Sequence, residues 1–464
     1  MDQGIAYTCK FGGSSLADAE RVQRLATFLR EERFKPDFKR RFIVVSAPGK
    51  RGPDDHKVTD LLYHLYETAK IGQDVEPLFK RIHERFYDVA LGLDRTMNRT
   101  DALYSRQILD RHMQEIRKEF PNQLQRPDWI ASRGEWLMAQ LLSACLYLPF
   151  VDATDIIRFT SGGKLDSNMT QILACEKLCA SVKFASGDEV IGGVVPGFYG
   201  MTPEGDVKTF SRGGSDLTGA LVAQATGSVL YENFTDVDGL MSADPRIVSE
   251  AKSIREVTYR ELRELSYMGA SVFHEEAVAP ARLGGIRIHI RNTFDMSSAG
   301  TQIMHEAHRG EHPLVVGVAG RKGFSVIQVR KLGMNEERGF MRRMLWVLAD
   351  EEVNVEHSPG GIDSLSVIVP TEDLKDREET IKEEIMLSCK PDEVEIDHGL
   401  ALIATVGHGM WNKPGVAGRL TTALGEAGVN IKMINQGSSE LNIIVGVAES
   451  DFERAIQAIH KEFF

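Results

Sequence analysis

The chain reads as an α/β protein: a sandwich built on a mainly parallel sheet, followed by two ferredoxin-like modules. Three observations lead there. Up to residue 305, short β-rich runs such as FIVVSA, VIGGVVPGF and GSVLYENFTDV alternate with helical stretches such as LADAERVQRLATFLREE, TDLLYHLYETAK and ASRGEWLMAQLLSACLYL. That alternation calls for parallel strands joined by crossover helices. The last third of the chain repeats itself, and glycine-rich turns sit where apolar runs give way to helices.

The repeat sets the domain layout. One register, the 76-residue offset from Gly339 to Gly415, aligns three features without a gap. Residues 325–331 (SVIQVRK) lie over 401–407 (ALIATVG), both apolar runs of strand type. The two glycines each open an amphipathic helix, and the helices end in LADEEVNVE and LGEAGVNIK. Residues 364–369 (SLSVIV) then lie over 440–445 (ELNIIV). Each unit reads strand, helix, strand, strand, helix, the ferredoxin-like order completed as βαββαβ, and three coincidences in one register argue for a true repeat. The expected domains are 1–305, 314–395 and 396–464, with the polar segment 305–313 (HEAHRGEHP) as linker.

Bulk properties fit this layout. A chain of 464 residues exceeds what one core organises, so two to four domains of roughly 150 residues are expected. With 42% hydrophobic and 26% charged residues and a net charge of -12, it lacks the basic face of a nucleic-acid binder. The opening MDQGIAYTCKFGG has no basic n-region or apolar h-region, and no run approaches the roughly 18 apolar residues of a membrane span. A cytoplasmic protein without membrane contact is expected. Five scattered cysteines with no CxxC argue against a disulfide framework. Cys175 and Cys179 share a helix face, where core packing is the commoner reading and a metal site the rarer one. His305 and His308 have the wrong spacing for an HExxH zinc helix, and no metal site is expected.

Candidate chemistry lies in the glycine turns. Lys10-Phe11-Gly12-Gly13-Ser14-Ser15 follows a strand expected over 5–9 and opens a helix at Leu16. Glycines let backbone N–H groups approach a phosphate, and the lysine adds a mobile positive charge. Alone, GGSS suits a plain tight turn equally well. Ser211-Arg212-Gly213-Gly214-Ser215-Asp216 also leads into a helix. Its arginine is suited to grip a carboxylate and its aspartate to orient a lysine, with a helix-capping Arg and Asp pair as the alternative. The third cluster, Thr235-Asp236-Val237-Asp238-Gly239 with Asp244-Pro245-Arg246, is by itself compatible with a solvated acidic turn. There is no GxxxxGK[ST] P-loop and no HRD or DFG set. Gly407-His408-Gly409 lacks a third glycine, since Asn412 stands there, and reads as a loop.

Together these clusters resemble the aspartokinases over nearly the whole chain. KFGGSS is similar to that family's KFGGTS, SRGGSDLTGALVA to its GRGGSDxTA turn, and TDVDGLMSADPRIV to its TDVxGxxTxDPRxV segment. Residues 268–274 (MGASVFH) resemble FGAKVLHP, and the repeated modules resemble paired ACT domains. The resemblance implies an amino-acid-kinase sandwich over 1–305 and transfer of the γ-phosphoryl group of ATP to the β-carboxylate of L-aspartate. It also implies roles. Lys10 would touch the β- and γ-phosphates, cradled by Gly12, Gly13 and Ser14, and Asp216 would hold Lys10. Thr59, Glu135, Arg212 and Ser215 would bind aspartate, with Glu135 taking the α-ammonium; locally, Glu135 also fits a helix-terminal acid beside Arg133. Thr235, Asp236, Met241, Arg246 and Ser271 match nucleotide-contacting positions. Ser271 stands where many relatives have lysine, Glu275 replaces a proline, and Met241 replaces a frequent aromatic.

Phosphoryl transfer asks for positioning and charge stabilisation more than covalent help, and the acceptor carboxylate, ionised at pH 7, needs no general base. Mg²⁺ is implied by the nucleotide, held by ATP oxygens and water. Two other readings are a carboxylate or carbamate kinase acting on another amino acid such as N-acetylglutamate, and a non-catalytic amino-acid sensor. The chain ends shortly after the second module, so no fused homoserine dehydrogenase is expected. Feedback by lysine, threonine or both is expected at the turn carrying Met334, Glu337 and Phe340 with Val355 and Glu356. In the family that turn holds lysine, whereas an ordinary helix N-cap is the local alternative. Pairing of ACT edges implies a homodimer or larger homo-oligomer.

Overall fold

The computed structural model describes residues 6–97 without 34 and 36, 104–183, 189–305 without 212, 271, 272 and 274, and 313–464. The linker expected over 305–313 therefore lies outside the described residues except at its ends. The chain forms two compact units: Met1–Leu240 with Arg255–Tyr259 and Val272–Ala307, and Met241–Ile254 with Arg260–Ser271 and His308–Phe464. Among the described residues, no helix is long and apolar enough to cross a membrane.

In the first unit, the strands in chain order are β1 (Tyr7–Phe11), β2 (Phe42–Val45), β3 (Ser181–Lys183), β4 (Glu189–Ile191), β5 (Gly193–Pro196), β6 (Tyr199–Met201), β7 (Val207–Thr209), β8 (Leu230–Thr235), β9 (Glu256–Thr258), β10 (Arg287–Asn292) and β11 (Thr301–Met304). Seven of them form one sheet in the order β5-β2-β1-β8-β10-β11-β9, parallel from β5 through β10. Only the β10 and β11 pair is antiparallel in it. β3 with β4 and β6 with β7 form two small hairpins. The connections include α1 (Ala19–Arg33), α2 (Val58–Lys70), α3 (Glu76–Asp94), α4 (Tyr104–Glu119), α5 (Pro127–Leu146), α6 (Ala153–Ile156), α7 (Ser167–Leu178) and α8 (Gly214–Ala225).

Central strands are buried on both faces, as parallel sheets require, and β2 and β5 show no exposed residue. Leu25, Leu65, Phe86 and Leu141 on the first helices join Ile43 and Phe234 of the sheet in one core. On β8, Glu232 is buried between Arg40 (2.6 Å) and Arg291 (2.9 Å), whereas the next residue, Asn233, faces the other side of the sheet. Cys175 and Cys179 are not core residues: the first is exposed, the second half-buried at the C-cap of α7. Burial and the neighbouring Cys175 push the Cys179 thiol up to about 11.

The second unit's sheet has the order β13-β12-β14-β16-β15, from β12 (Gly317–Arg330), β13 (Ser364–Pro370), β14 (Glu393–Val406), β15 (Met433–Asn435) and β16 (Asn442–Ala448). Its chain order also includes α9 (Tyr259–Tyr267), α11 (Phe340–Asp350), α12 (Thr371–Leu374), α13 (Glu378–Cys389), α14 (Val416–Glu426) and α15 (Phe452–Phe463), with α10 (Glu275–Leu283) falling in the first unit. The repeat is visible in the backbone. β12 and β14 correspond end to end at the same offset as α11 and α14, and both helices start after a left-handed glycine, Gly339 (φ 81°) and Gly415 (φ 91°).

β12 and β14 are longer than the apolar runs suggest, and they cross. They pair antiparallel, so 317–321 lies against 402–406 while 326–330 lies against 393–397. Each strand breaks register once, near Gly323 (φ 91°) and Gly399 (φ 74°), where a left-handed glycine accommodates the extra residue of a bulge. Two cores result. Ile327, Val329, Phe340, Met344, Val367 and Ile381 form one, with Val394 and Ile396 against it. Val318, Ile403, Leu420, Ile443 and Ile456 form the other. Each module thus takes one strand half from the other's stretch of sequence, and a cut at 395/396 falls inside β14. The expected second strand of the first module is reduced to two bridges, His357 to Ile368 and Gly360 to Leu365.

Candidate functional site

The strand order fixes where a site belongs. From β1 the chain moves to β2 and β5 on one side, then returns to β8 and β10 on the other, so the order reverses between β1 and β8. Ligands of open parallel sheets bind outside the carboxyl ends of the strands at such a reversal. Lys10 lies on β1 itself, next to that end, and the turn after it is not the start of an α-helix as expected. Gly13–Leu16 is a single 3₁₀ turn with Gly12 at its N-cap, and α1 begins only at Ala19.

The turn is held on both sides. Gly12 N–H donates to Phe234 O of β8 (3.1 Å), and Gly49 N–H, from the turn after β2, donates to Gly13 O (2.8 Å). A Cβ on Gly13 would stand 2.8 Å from Ala47 O, closer than real contacts allow. Glycine here is thus a requirement of two interlocked turns as well as a means of approaching a phosphate. Ser14 O accepts from Arg21 Nη1 (3.0 Å), and Ser15, the residue that departs from threonine, bonds Thr293 Oγ1 (2.6 Å).

Lys10 and Asp216 meet. Lys10 Nζ lies 2.7 Å from Asp216 Oδ1, and Lys10 is only 8% exposed. The same oxygen accepts from Asn233 Nδ2 (2.7 Å), and Tyr231 Oη donates to Asp216 O (3.1 Å). Asp216 sits in the first turn of α8, after the left-handed Gly213 (φ 60°), so its carboxylate also favours the helix dipole. Ser215 is buried against the turn after β5, where a Cβ on Gly197 would fall 2.6 Å from its Oγ. Phe198 beside it holds φ 81°, a left-handed strain for an aromatic residue that marks this turn as constrained. Asn233, Gly49 and Phe198 escape motif reading, and the only sequence signal for Gly49 is its place just after a wholly apolar strand.

Glu135 lies in the middle of α5, not at a helix end. It is 4% exposed, takes a hydrogen bond from Ala47 N–H, and keeps Oε2 without a hydrogen-bond partner. Burial pushes its carboxyl up to about 8. Arg133 does not pair with it, its guanidinium packing instead over Trp129, Trp136 and Tyr199. An orphan buried carboxylate oxygen is costly unless a ligand completes it. Gly134 allows the approach to the β2 turn, since a Cβ there would be 2.8 Å from Ala47 Cβ and 3.5 Å from Val58 Cγ1. Val58 opens α2, and Thr59 follows it, half-buried in the first turn.

Lys10, Gly12, Gly13, Ser14, Thr59, Glu135, Ser215, Asp216 and Thr235 are therefore tied together through turns at the carboxyl ends of β1, β2, β5 and β8. Asp236 follows and accepts from Thr235 Oγ1 (3.2 Å). Arg212 and Ser271 lie outside the described residues. Met241 and Arg246 belong to the second unit, where Met241 bridges Ser253 and Arg246 is exposed and paired with Asp244 (2.6 Å). In the same unit Met334 and Phe340 are buried, while Glu337 is held by Lys331 (2.5 Å) and by Arg343, which together keep its carboxyl below the usual range. Val355 is exposed, and Glu356 accepts from Tyr267 Oη (2.5 Å). Among the described residues no group of three acidic, histidine or cysteine side chains is arranged to hold a metal ion.

Residues 8–292 match the amino acid kinase family, and residues 403–463 match an ACT domain. Aspartokinase 3 of Bacillus subtilis is 37% identical over 98% of both chains. The fold superposes on the aspartate kinase of Clostridium acetobutylicum with a TM-score of 0.84 at 40% identity, covering 99% of this chain and 100% of that one. It also matches Escherichia coli aspartokinase III at 25% identity, with TM-scores of 0.72 to its aspartate and ADP complex in the R state and 0.70 to its lysine and aspartate complex in the T state, covering 99% of this chain and at least 99% of each.

Proposed function

Because this chain belongs to the aspartokinases of the amino acid kinase family, we propose a working model of its catalysis in which Lys10 and Asp216 are the centre. The protein is an aspartate kinase, transferring the γ-phosphoryl group of ATP to the β-carboxylate of L-aspartate. The observation that carries the model is the Lys10 to Asp216 ion pair at the reversal of strand order, beside the turn of Gly12, Gly13 and Ser14. Lys10 Nζ stabilises charge on the transferring group, while Asp216, fixed by Asn233, holds it in line. Backbone N–H groups of the turn receive phosphate oxygens. Nucleotide contacts are assigned by the family resemblance to Thr235 and Asp236 and, separately, to Met241, Arg246 and Ser271. A Mg²⁺ ion arriving with the nucleotide would supply charge neutralisation there, held by nucleotide oxygens and water more than by protein side chains. Thr59, Glu135, Arg212 and Ser215 hold the acceptor. A coupled assay of ADP release with aspartate, and with N-acetylglutamate as the rival acceptor, tests the assignment; turnover of the rival alone would reject it.

Glu135 gives the model a pH signature. Its carboxyl, at about 8 against an ordinary 4.5, is mostly protonated at pH 7 in the free protein, whereas an ammonium group calls for the carboxylate. Aspartate binding then releases a proton, and the apparent KM for aspartate falls as pH rises from 6 to 8, by up to about tenfold per unit at the low end. KM for ATP stays flat. Glu135→Gln raises KM for aspartate and removes the slope; a variant that keeps the wild-type slope assigns the pH dependence elsewhere. The folded state also holds this proton where the unfolded chain has lost it, so stability is lost as pH rises from about 4.5 to about 8, and the Gln variant melts with a flatter pH dependence.

The ACT modules regulate the enzyme allosterically, and the turn of Met334, Glu337 and Phe340 with Val355 and Glu356 is the effector site of this model. Lysine, threonine or the pair inhibits by favouring one quaternary state of a homodimer or larger assembly, with a coupling of about 1 to 3 kcal/mol and hence roughly 5- to 150-fold inhibition. Effector titrations on the full chain test it. Truncation is a poor substitute, because Ala243 and Val248 pack in the core of Val318 and Ile403 and would be uncovered. Unchanged aspartate kinetics and melting in millimolar lysine and threonine, singly and together, would refute this effector model.

A further inference from the structure

Arg85, on α3, is the largest fully buried side chain among the described residues, at 2% exposure. Its guanidinium is enclosed by main-chain oxygens from three separate segments. Nη1 donates to His56 O (2.6 Å), and Nη2 to Gly49 O and to Ala17 O (3.3 Å). Asp55 Oδ2, itself bonded to Arg51, supplies one carboxylate at 2.9 Å. Nε is left without a hydrogen-bond partner.

Burying a guanidinium with one carboxylate, three carbonyls and one orphan donor is a weak way to gain stability; an apolar side chain of similar volume often does better. What the arrangement does provide is register among segments that share no strand or helix. Ala17 ends the 3₁₀ turn that contains Ser14. Gly49 donates its N–H to Gly13 O, so the arginine fixes the carbonyl of a residue whose amide fixes the phosphate turn. His56 stands just before the first turn of α2, which carries Thr59. Between Gly49 and His56 the chain runs through Lys50, Arg51, Pro53 and Asp54, all exposed, so little else in that stretch is packed down.

We propose that Arg85 is a positioning residue for phosphoryl transfer, a buried fork that keys the phosphate turn after β1, the turn after β2 and the acceptor side of α2 to one another. The inference rests on the kinase model above. It touches neither substrate; it acts through Gly49 and Gly13 on one side and His56 on the other. Lysine is no substitute, because its donors radiate from one atom and do not reach carbonyls on both sides of a planar fork.

The test compares wild type, Arg85→Lys and Arg85→Ala as full-length proteins, by kinetics in both substrates and by thermal melting. Arg85→Lys is expected to stay folded while kcat falls about tenfold, and Arg85→Ala to lose about 100-fold, the scale for an ångström of misplacement. Guanidinium ion at non-denaturing concentration is expected to restore part of the kcat of Arg85→Ala and to leave wild type unchanged. Wild-type kcat and KM in either folded variant would overturn the proposal. So would a loss of activity that tracks the folded fraction in both variants and ignores guanidinium. If wild type fails to phosphorylate aspartate, the kinase model fails by itself; ATP titration by calorimetry then decides Arg85, and equal affinity in wild type and Arg85→Lys overturns its positioning role.

Discussion

Lys10→Met is expected to leave a folded protein whose kcat is lower by about 10² to 10³, the scale for losing one preorganised charge stabiliser. The loss should fall on kcat more than on KM for aspartate, since the ammonium acts on charge that develops during transfer. Folding should survive because the methylene stem is kept and the group removed, though buried, leaves Asp216 with a second partner, Asn233 Nδ2 at 2.7 Å. Some stability will be lost, as half of a buried ion pair is gone. The companion Asp216→Asn keeps Lys10 charged but releases its orientation, and a smaller loss of kcat is expected from it. Steady-state kinetics with melting curves separate these outcomes, and a Lys10→Met enzyme with near-normal kcat would remove Lys10 from the mechanism.

The parts of this architecture that the sequence carries are those written in backbone punctuation. Gly339 and Gly415 are legible because each takes a left-handed cap ahead of an amphipathic helix, and the repeat follows from them. The crossing of β12 and β14 is not legible. Its outer halves, GVAGR and EVEID, share no apolar run, and only tertiary pairing reveals that each completes the other's module. Similarly, KFGGSS and RGGSD announce a phosphate turn and a helix start, yet nothing local says that Lys10 of β1 and Asp216 of α8 meet. Glu135 reads locally as a solvated helix acid because its burial is created by packing against Ala47, far away in sequence. Arg85 lies in a stretch of ordinary amphipathic helix, ERFYDVA, where an arginine is expected to face water. Cys175 and Cys179 share a helix face by spacing, which suits core packing, yet Cys175 is exposed and Cys179 only half-buried.

Gly49→Ala should disable the enzyme almost as thoroughly as loss of Lys10, although Gly49 contributes no chemistry. A Cβ at Gly49 would stand 2.6 Å from Gly13 C, 2.7 Å from Gly13 O and 2.9 Å from Ser14 N. All three are backbone atoms, so no rotamer change relieves the contact, and the turns after β1 and β2 must separate. Ordinary contact distances require a shift approaching one ångström, delivered directly to the peptide groups that receive the phosphates. Misplacement on that scale costs about 100-fold in rate, and overpacking costs about 1 to 3 kcal/mol of stability. Widening also pulls Gly49 O from Arg85 and Gly49 N–H from Gly13 O, so the two effects arise from one displacement. Gly52→Ala is the matched control, in the same loop with no atom within 4 Å of the added methyl, and its kinetics and melting should match wild type. If Gly49→Ala turns over within twofold of wild type, the interlock of the two turns is not what places the phosphate cradle.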